Sequence, residues 1–401
     1  MAAAYLLSSK YDVTLYEKNA VLGGHTRTKT IQYRDKEIAV DTGFIVFNHV
    51  NYLELTSLFR YFDVATEKSD MSFGFTMNRG DFEWGAQSLD AVFGQRRNLL
   101  NPFFYKMISD VLCFFKEAPK CLNRSEITLG ELLKSLKLGK NFCDRFIIPM
   151  GAAIWSCPPD KMLDFPAQTF VRFFINHGLL SLNGQHQWYT VTGGAQQYVK
   201  KLTASLQNNI CLNAAIERVW SEGEKVVVQT KTGEKNLYDH VVFASHADES
   251  LAMLMDATPE ERKILGAFDY QPNTAYLHSD SRQMPKRKRC WASWSYSATD
   301  GKQVSLTYWM NKLQNIDPDY PLFVTLNPAH PIAPEKIFDT HVFSHPVFTR
   351  EAIAAQKLIP CIHGKRNIWF CGAYQRYGFH EDGLMSAVAV AKHLGVTIPW
   401  H

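Results

Sequence analysis

The chain has 401 residues, room for two or three domains of ordinary size. Its 46% hydrophobic and 20% charged content excludes a disordered chain. Lys plus Arg number 43 against 39 acids, and a net charge of +4 is too mild to argue for nucleic acid.

The eight cysteines stand singly with no CxxC pair, so reduced thiols are expected and a metal cluster is not. No run reaches the roughly 18 apolar residues that span a bilayer. The start carries neither a basic n-region nor a cleavage site. A cytoplasmic location is therefore expected, with nothing indicating a membrane surface.

Residues 1–10, MAAAYLLSSK, are helix formers. Tyr11 to Glu17, YDVTLYE, alternates in strand fashion and ends in an acid. Lys18 to Thr28 is a loop with a Gly23–Gly24 pair. Helix, strand and terminal acid form the second half of a dinucleotide-binding βαβ unit, whose acid accepts hydrogen bonds from ribose hydroxyls. The matching G-x-G-x-x-G loop should stand about 20 residues earlier. Counting back from Glu17 runs past Met1. Either the chain is a fragment of a longer product, the preferred reading, or it is a degenerate relative that binds its dinucleotide weakly. A mass measurement on the native protein separates the two.

Ile38 to Phe47 is an apolar run broken at Asp41-Thr42-Gly43, with a bulge expected at Gly43. Asn48 to Phe62 is amphipathic and reads as a packing helix. From about residue 65 to 190 the chain turns aromatic, as in NPFFYKMISDVLCFF and FPAQTFVRFFINHGLL. Most of these rings belong in a core, and an aromatic-lined cavity is the second reading. Core packing is also the reading for Trp155, and Cys157 has no basic neighbour to activate it.

Trp188 to Tyr198 reads as strand, glycine turn and helix start at Gly193–Gly194. A hairpin is expected between Lys225–Thr230 and Asn236–Tyr238, and HVVFAS (240–245) reads as a buried parallel strand. His246 is read as a loop histidine. Phe268 to Phe343 alternates as an antiparallel sheet. Its Trp291, Trp294, Tyr308 and Trp309 are candidate cavity residues. The basic run Lys286 to Arg289 reads as a solvated loop. In the tail, Ile368 to Cys371 is a buried strand, a polar loop follows from Gly372, and a helix restarts at Leu384. Such a loop lies where open α/β sheets bind ligands.

The runs YDVTLYEKNAVLGGHTRT and GAYQRYGFHEDG carry a further signal. They resemble the ribose-binding and C-terminal flavin-contacting motifs of the amine-oxidase-like FAD flavoproteins, in the branch of NAD/FAD-binding oxidoreductases. The resemblance implies an α/β fold: an FAD-binding Rossmann-like domain, truncated at its start, with an inserted α+β substrate domain containing an antiparallel sheet. The FAD-binding parts would be 1–64, 188–267 and 346–401, and the substrate parts 65–187 and 268–345. Glu17 would hold ribose, and Gly23, Gly24 and Arg27 would lie along the pyrophosphate. Gly43 would pass beneath the flavin, the Val219 backbone would meet adenine, and Ala244 would sit at the same sheet edge as Gly372. Gly372, Ala373 and the turn Glu381, Asp382, Gly383, Leu384 would approach the flavin, with Tyr374, Tyr377 and His380 nearest. The implied reaction is hydride transfer between flavin and a small apolar substrate such as an acyl chain, a polyene or a hydrophobic amine. No catalytic residue and no metal ligand is assigned. Two alternatives stay open: an FAD-free scaffold, and a sugar-nucleotide mutase whose diphosphate clamp would be Arg145 and Arg172.

Overall fold

The structure is a computed structural model that describes residues 1–123, 126–155, 159–181, 186–299 and 303–401. Cys157 lies outside the described residues.

The chain opens with helix α1 (Ala2–Leu7), shorter than the ten residues expected. Strand β1 is only Leu15–Tyr16, shorter than the expected Tyr11 to Glu17. An antiparallel hairpin follows, β2 (Thr28–Tyr33) with β3 (Lys36–Asp41), so the run expected through Phe47 ends as a strand at Asp41. Helix α2 (Leu53–Tyr61) buries Leu55, Leu58 and Phe59, an i, i+3, i+4 stripe.

The middle region supplies β4 (Phe73–Met77) and β5 (Phe82–Gly85), then helices α3 (Leu89–Val92), α4 (Pro102–Glu117) and α5 (Ala167–Asn176). Asn101 caps α4 by accepting from the Phe103 N–H, with Pro102 in the first turn where its missing donor costs nothing. Next come α6 (Gln196–Thr203), β6 (Ile210–Cys211) and a three-stranded antiparallel meander of β7 (Ile216–Glu222), β8 (Lys225–Thr230) and β9 (Lys235–Tyr238). The expected hairpin is therefore two-thirds of a larger unit.

Strand β10 (Val241–Phe243) precedes β11 (Asp269–His278), β12 (Trp294–Thr299), β13 (Gln303–Trp309), β14 (Phe323–Leu326) and β15 (Ile337–Val347). These last five join β4 and β5 in a seven-stranded sheet ordered β15-β11-β14-β13-β12-β4-β5. All its pairs are antiparallel except β12 with β4. The tail closes with β16 (Ile368–Phe370) and helix α7 (His380–His393). Helix α7 begins four residues before the expected Leu384, so Glu381 and Asp382 belong to its first turn rather than to a loop. Asp382 causes this early start, accepting from the backbone N–H groups of Tyr377 and Phe379 and satisfying donors the helix end leaves open.

Three buried apolar clusters hold the fold. One packs α4 and α5 with the seven-stranded sheet, a second packs α1, α2, α6 and α7, and a third packs β7 and β8 with β10 and β16. Two parallel pairs, β1 with β6 and β10 with β16, form separate two-stranded sheets. No helix among the described residues is long and apolar enough to cross a membrane.

Candidate functional site

One cavity of about 2490 Å³ runs through the molecule. A site for a single small molecule occupies roughly 300–1,000 Å³, so this one has room for a dinucleotide and a substrate together. Residues of β1 and β10 line it, as do the loops after β1, β3, β10 and β16.

The structure brings most of the expected cofactor residues to this cavity. Glu17, Gly23, Gly24, Arg27, Gly43, Val219, Ala244, Gly372, Ala373 and Leu384 all line it. The Glu17 carboxylate accepts from the backbone and side-chain N–H groups of Asn19, both at 2.9 Å. Arg27 is engaged elsewhere, donating to Asp339 on β15 at 2.7 Å and to the Thr42 hydroxyl at 3.1 Å. Glu381 and Asp382 are not among the lining residues. Glu381 instead accepts from the Glu54 and Leu55 N–H groups at 2.7 and 3.0 Å, capping α2.

Gly43 and Gly23 make the cradle narrow. A Cβ on Gly43 would stand 2.1 Å from the His25 carbonyl oxygen, and one on Gly23, at φ +131°, would stand 2.3 Å from that of Thr26. At Gly43 the two loops meet backbone to backbone, with the Phe44 N–H donating to the His25 carbonyl at 2.8 Å. Gly43→Ala must therefore push the His25 segment away, costing about 1–3 kcal/mol and distorting the cavity wall. We expect lower flavin occupancy with a depressed melting temperature. Wild-type values for both would rule out this packing account.

Several contacts here carried no usable sequence signal. His25 faces His345 and His246, with ring centroids 5.4 and 5.9 Å away. Three distant segments meet at this point, and no local spacing announces it. His246, read as a loop histidine, lines the cavity and stacks on Tyr270 at 4.3 Å. The Tyr198 hydroxyl bridges Thr26 Oγ1 at 2.7 Å and His380 Nε2 at 2.6 Å, and His380 stacks on Phe44 at 4.0 Å. Burial pushes His380 and His345 down to about 4, and His25 to about 3 with added repulsion from His345 and His246. Tyr374 and Tyr377 also line the cavity.

The far end of the cavity is apolar. Between residues 104 and 188 the described lining includes no Asp, Glu, Lys or Arg. Trp294 and Tyr308 line it, whereas Trp291 and Trp309 pack on each other at 5.2 Å, outside the lining. Trp155, expected to be core, both packs on Phe165 and Phe173 and lines the cavity. Arg145 lies over the Phe82 ring and Arg172 is exposed, and neither reaches the lining. The diphosphate clamp expected of a mutase is therefore not assembled by those two residues.

Buried titratable groups predict an acid-sensitive fold. His25, His177, His278, His345, His363 and His380 are all pushed by burial to about 3 or 4. Below about pH 6.5 the unfolded chain binds protons that the folded chain refuses, so stability falls as pH drops toward 4. Asp41 and Glu381, raised by burial to about 7, and Asp382, raised to about 6, act in reverse and offset part of this. With six groups against three, the melting temperature should be lower at pH 4.5 than at pH 6.5. A higher value at pH 4.5 would refute this balance.

The site is thus a glycine-walled cradle that opens into an apolar chamber. The chain belongs to the flavin containing amine oxidoreductases, whose family model matches residues 1–394, and its cofactor is FAD. Over 119 residues it is 28% identical to the protein named "Putative flavin-containing monoamine oxidase AofH" of Mycobacterium tuberculosis (strain CDC 1551 / Oshkosh). That match spans 29% of this chain and 26% of the relative. The fold is similar to the CLA-producing fatty acid isomerase from P. acnes (TM-score 0.69, 15% identity, 98% of this chain and 96% of that one). It is also similar to cyclohexylamine oxidase from Brevibacterium oxydans IH-35A (TM-score 0.66, 13% identity, 98% and 96%).

Proposed function

We propose that this protein oxidises or desaturates an uncharged, elongated apolar molecule bearing a hydrogen-bond acceptor, such as an acyl chain. The observation that carries this is the chamber's chemistry. Its wall between residues 104 and 188 carries no charge, and the buried indole N–H groups of Trp155 and Trp294 have no hydrogen-bond partner. Both can donate and neither can accept. A buried donor without a partner costs about 1–3 kcal/mol, which a substrate carbonyl or carboxyl oxygen would relieve. An ammonium would find no carboxylate in that stretch of wall.

FAD, when bound, supplies the hydride acceptor. The protein's part is to hold, orient and keep dry. In this reading Glu17 takes the ribose, and Gly23, Gly24, Gly43, Gly372 and Ala373 let backbone approach the cofactor closely. Residues 1–64, 188–267 and 346–401 form the cofactor unit, and 65–187 with 268–345 form the substrate unit. His380, neutral and held by Tyr198, shapes the boundary between the two ends of the cavity.

The test is an anaerobic screen of the flavin-loaded protein, scored by bleaching of the flavin bands. Long-chain acyl compounds and polyenes should bleach it. Bleaching by amines alone would overturn this substrate class. A protein that takes up no FAD would overturn the whole reading and favour a scaffold.

A further inference from the structure

The cavity opens to solvent beside α3 and α4. Leu89, Tyr105 and Leu112 both line it and remain 80, 47 and 47% exposed, so they form its lip. Just outside the lip, Leu100 is 90% exposed and Phe103 69%. On α4, Phe104, Met107 and Phe114 are fully buried in the core, whereas Tyr105 and Leu112, seven residues apart, share the outward face. The helix thus satisfies its packing with one face and still presents large apolar side chains on another. An apolar surface of this kind beside a pocket mouth marks an interaction site.

Exposed cations lie near this lip in excess over acids, although Arg96 and Arg289 share Asp90 and Lys106 pairs with Asp110. Arg96, Arg97 and Lys106 come from the same segment. The basic run after Pro285 folds against it, with Gln87 donating to the Arg289 carbonyl and Arg289 lying 3.7 Å from Asp90. Within that run Arg287 is neutralised by the buried Glu83, whereas Lys286, Lys288 and Arg289 stay exposed. Apolar side chains flanked by lysine and arginine match a membrane interface, where the apolar groups enter the acyl boundary and the cations meet anionic head groups. A second copy of the chain fits less well, because a two-fold contact would set this cationic patch against itself.

We propose that the lip of Leu89, Tyr105 and Leu112, together with Leu100 and Phe103 outside it, seats the protein on an anionic membrane surface. The substrate then enters the cavity from the bilayer without crossing water. This extends the apolar-substrate reading above and rests on it for the nature of the cargo.

The experiment is co-sedimentation of the flavin-loaded protein with phosphatidylcholine vesicles, with and without phosphatidylglycerol. Wild type should pellet with the anionic vesicles. Leu100 and Phe103 do not line the cavity, so L100D/F103D should keep its flavin and its turnover of detergent-dispersed substrate. Its vesicle partitioning should fall by about tenfold or more. R96A/R97A should lose the preference for phosphatidylglycerol. The proposal is overturned if wild type stays in the supernatant with both vesicle types, or if L100D/F103D pellets like wild type. It is also overturned if wild type is a dimer that L100D/F103D dissociates while neither protein binds vesicles. Vesicle binding without flavin bleaching by any apolar compound would remove the substrate reading and leave the membrane seat standing.

Discussion

Asp41→Asn should destabilise the protein by about 1–3 kcal/mol, the cost of leaving buried donors without an acceptor. Asp41 is fully buried at the end of β3. Its Oδ1 accepts from the Thr28 hydroxyl and the Ala195 N–H, and its Oδ2 accepts from Ala195 and Gln314. The Thr28 hydroxyl in turn accepts from the Gln196 N–H at 2.9 Å. One carboxylate thus caps the start of α6, closes the β2–β3 hairpin and ties down the segment after β13. Asparagine keeps the shape but turns an NH₂ toward groups that donate, leaving buried donors opposed. The check is urea unfolding followed by intrinsic fluorescence, alongside flavin retention. A loss below about 0.5 kcal/mol would show that the network is incidental.

Glu381→Ala should cost about 2–4 kcal/mol and loosen the wall of the flavin cradle. The side chain is 6% exposed and accepts from two N–H groups at the start of α2. Burial pushes its pKa to about 7, and the nearby Glu54 and Asp382 carboxylates add to that push. The two backbone donors pull the other way and keep both oxygens in use. Alanine orphans both donors and opens space beneath α7. Glu381→Gln retains one acceptor, so its loss should fall between wild type and alanine. Limited proteolysis near residues 49–54 reads the fraying of α2 directly. Equal digestion of wild type and the alanine variant would show that water replaces the carboxylate without penalty.

Much of the fold was legible because its signals are local. The apolar stripe of α2 follows from Leu55, Leu58 and Phe59, whose spacing matches one helix face. The short parallel strands around Tyr16, Val242 and Trp369 follow from apolar runs bounded by turn residues. The start of α7 was misplaced because Gly378 and Gly383 suggested a loop, while the Asp382 carboxylate supplies the capping bonds that a glycine-rich run lacks by itself. The seven-stranded sheet was legible only in part. Its strands after Phe268 alternate, but the recruitment of β4 and β5 through a parallel contact depends on residues more than 200 positions away.

By itself the sequence determined the class of cofactor only through resemblance, because the runs YDVTLYEKNAVLGGHTRT and GAYQRYGFHEDG are local and can be matched without the fold. Tertiary structure alone decided that Arg27 is spent on Asp339, that Glu381 serves α2, and that His25, His246 and His345 converge. It also decided that Trp155 and Trp294 hold unpartnered donors on the wall of one cavity. The reason is physical. A side chain's partners are chosen by whatever the folded chain brings within about 3 Å of it, and those partners stand far away in sequence.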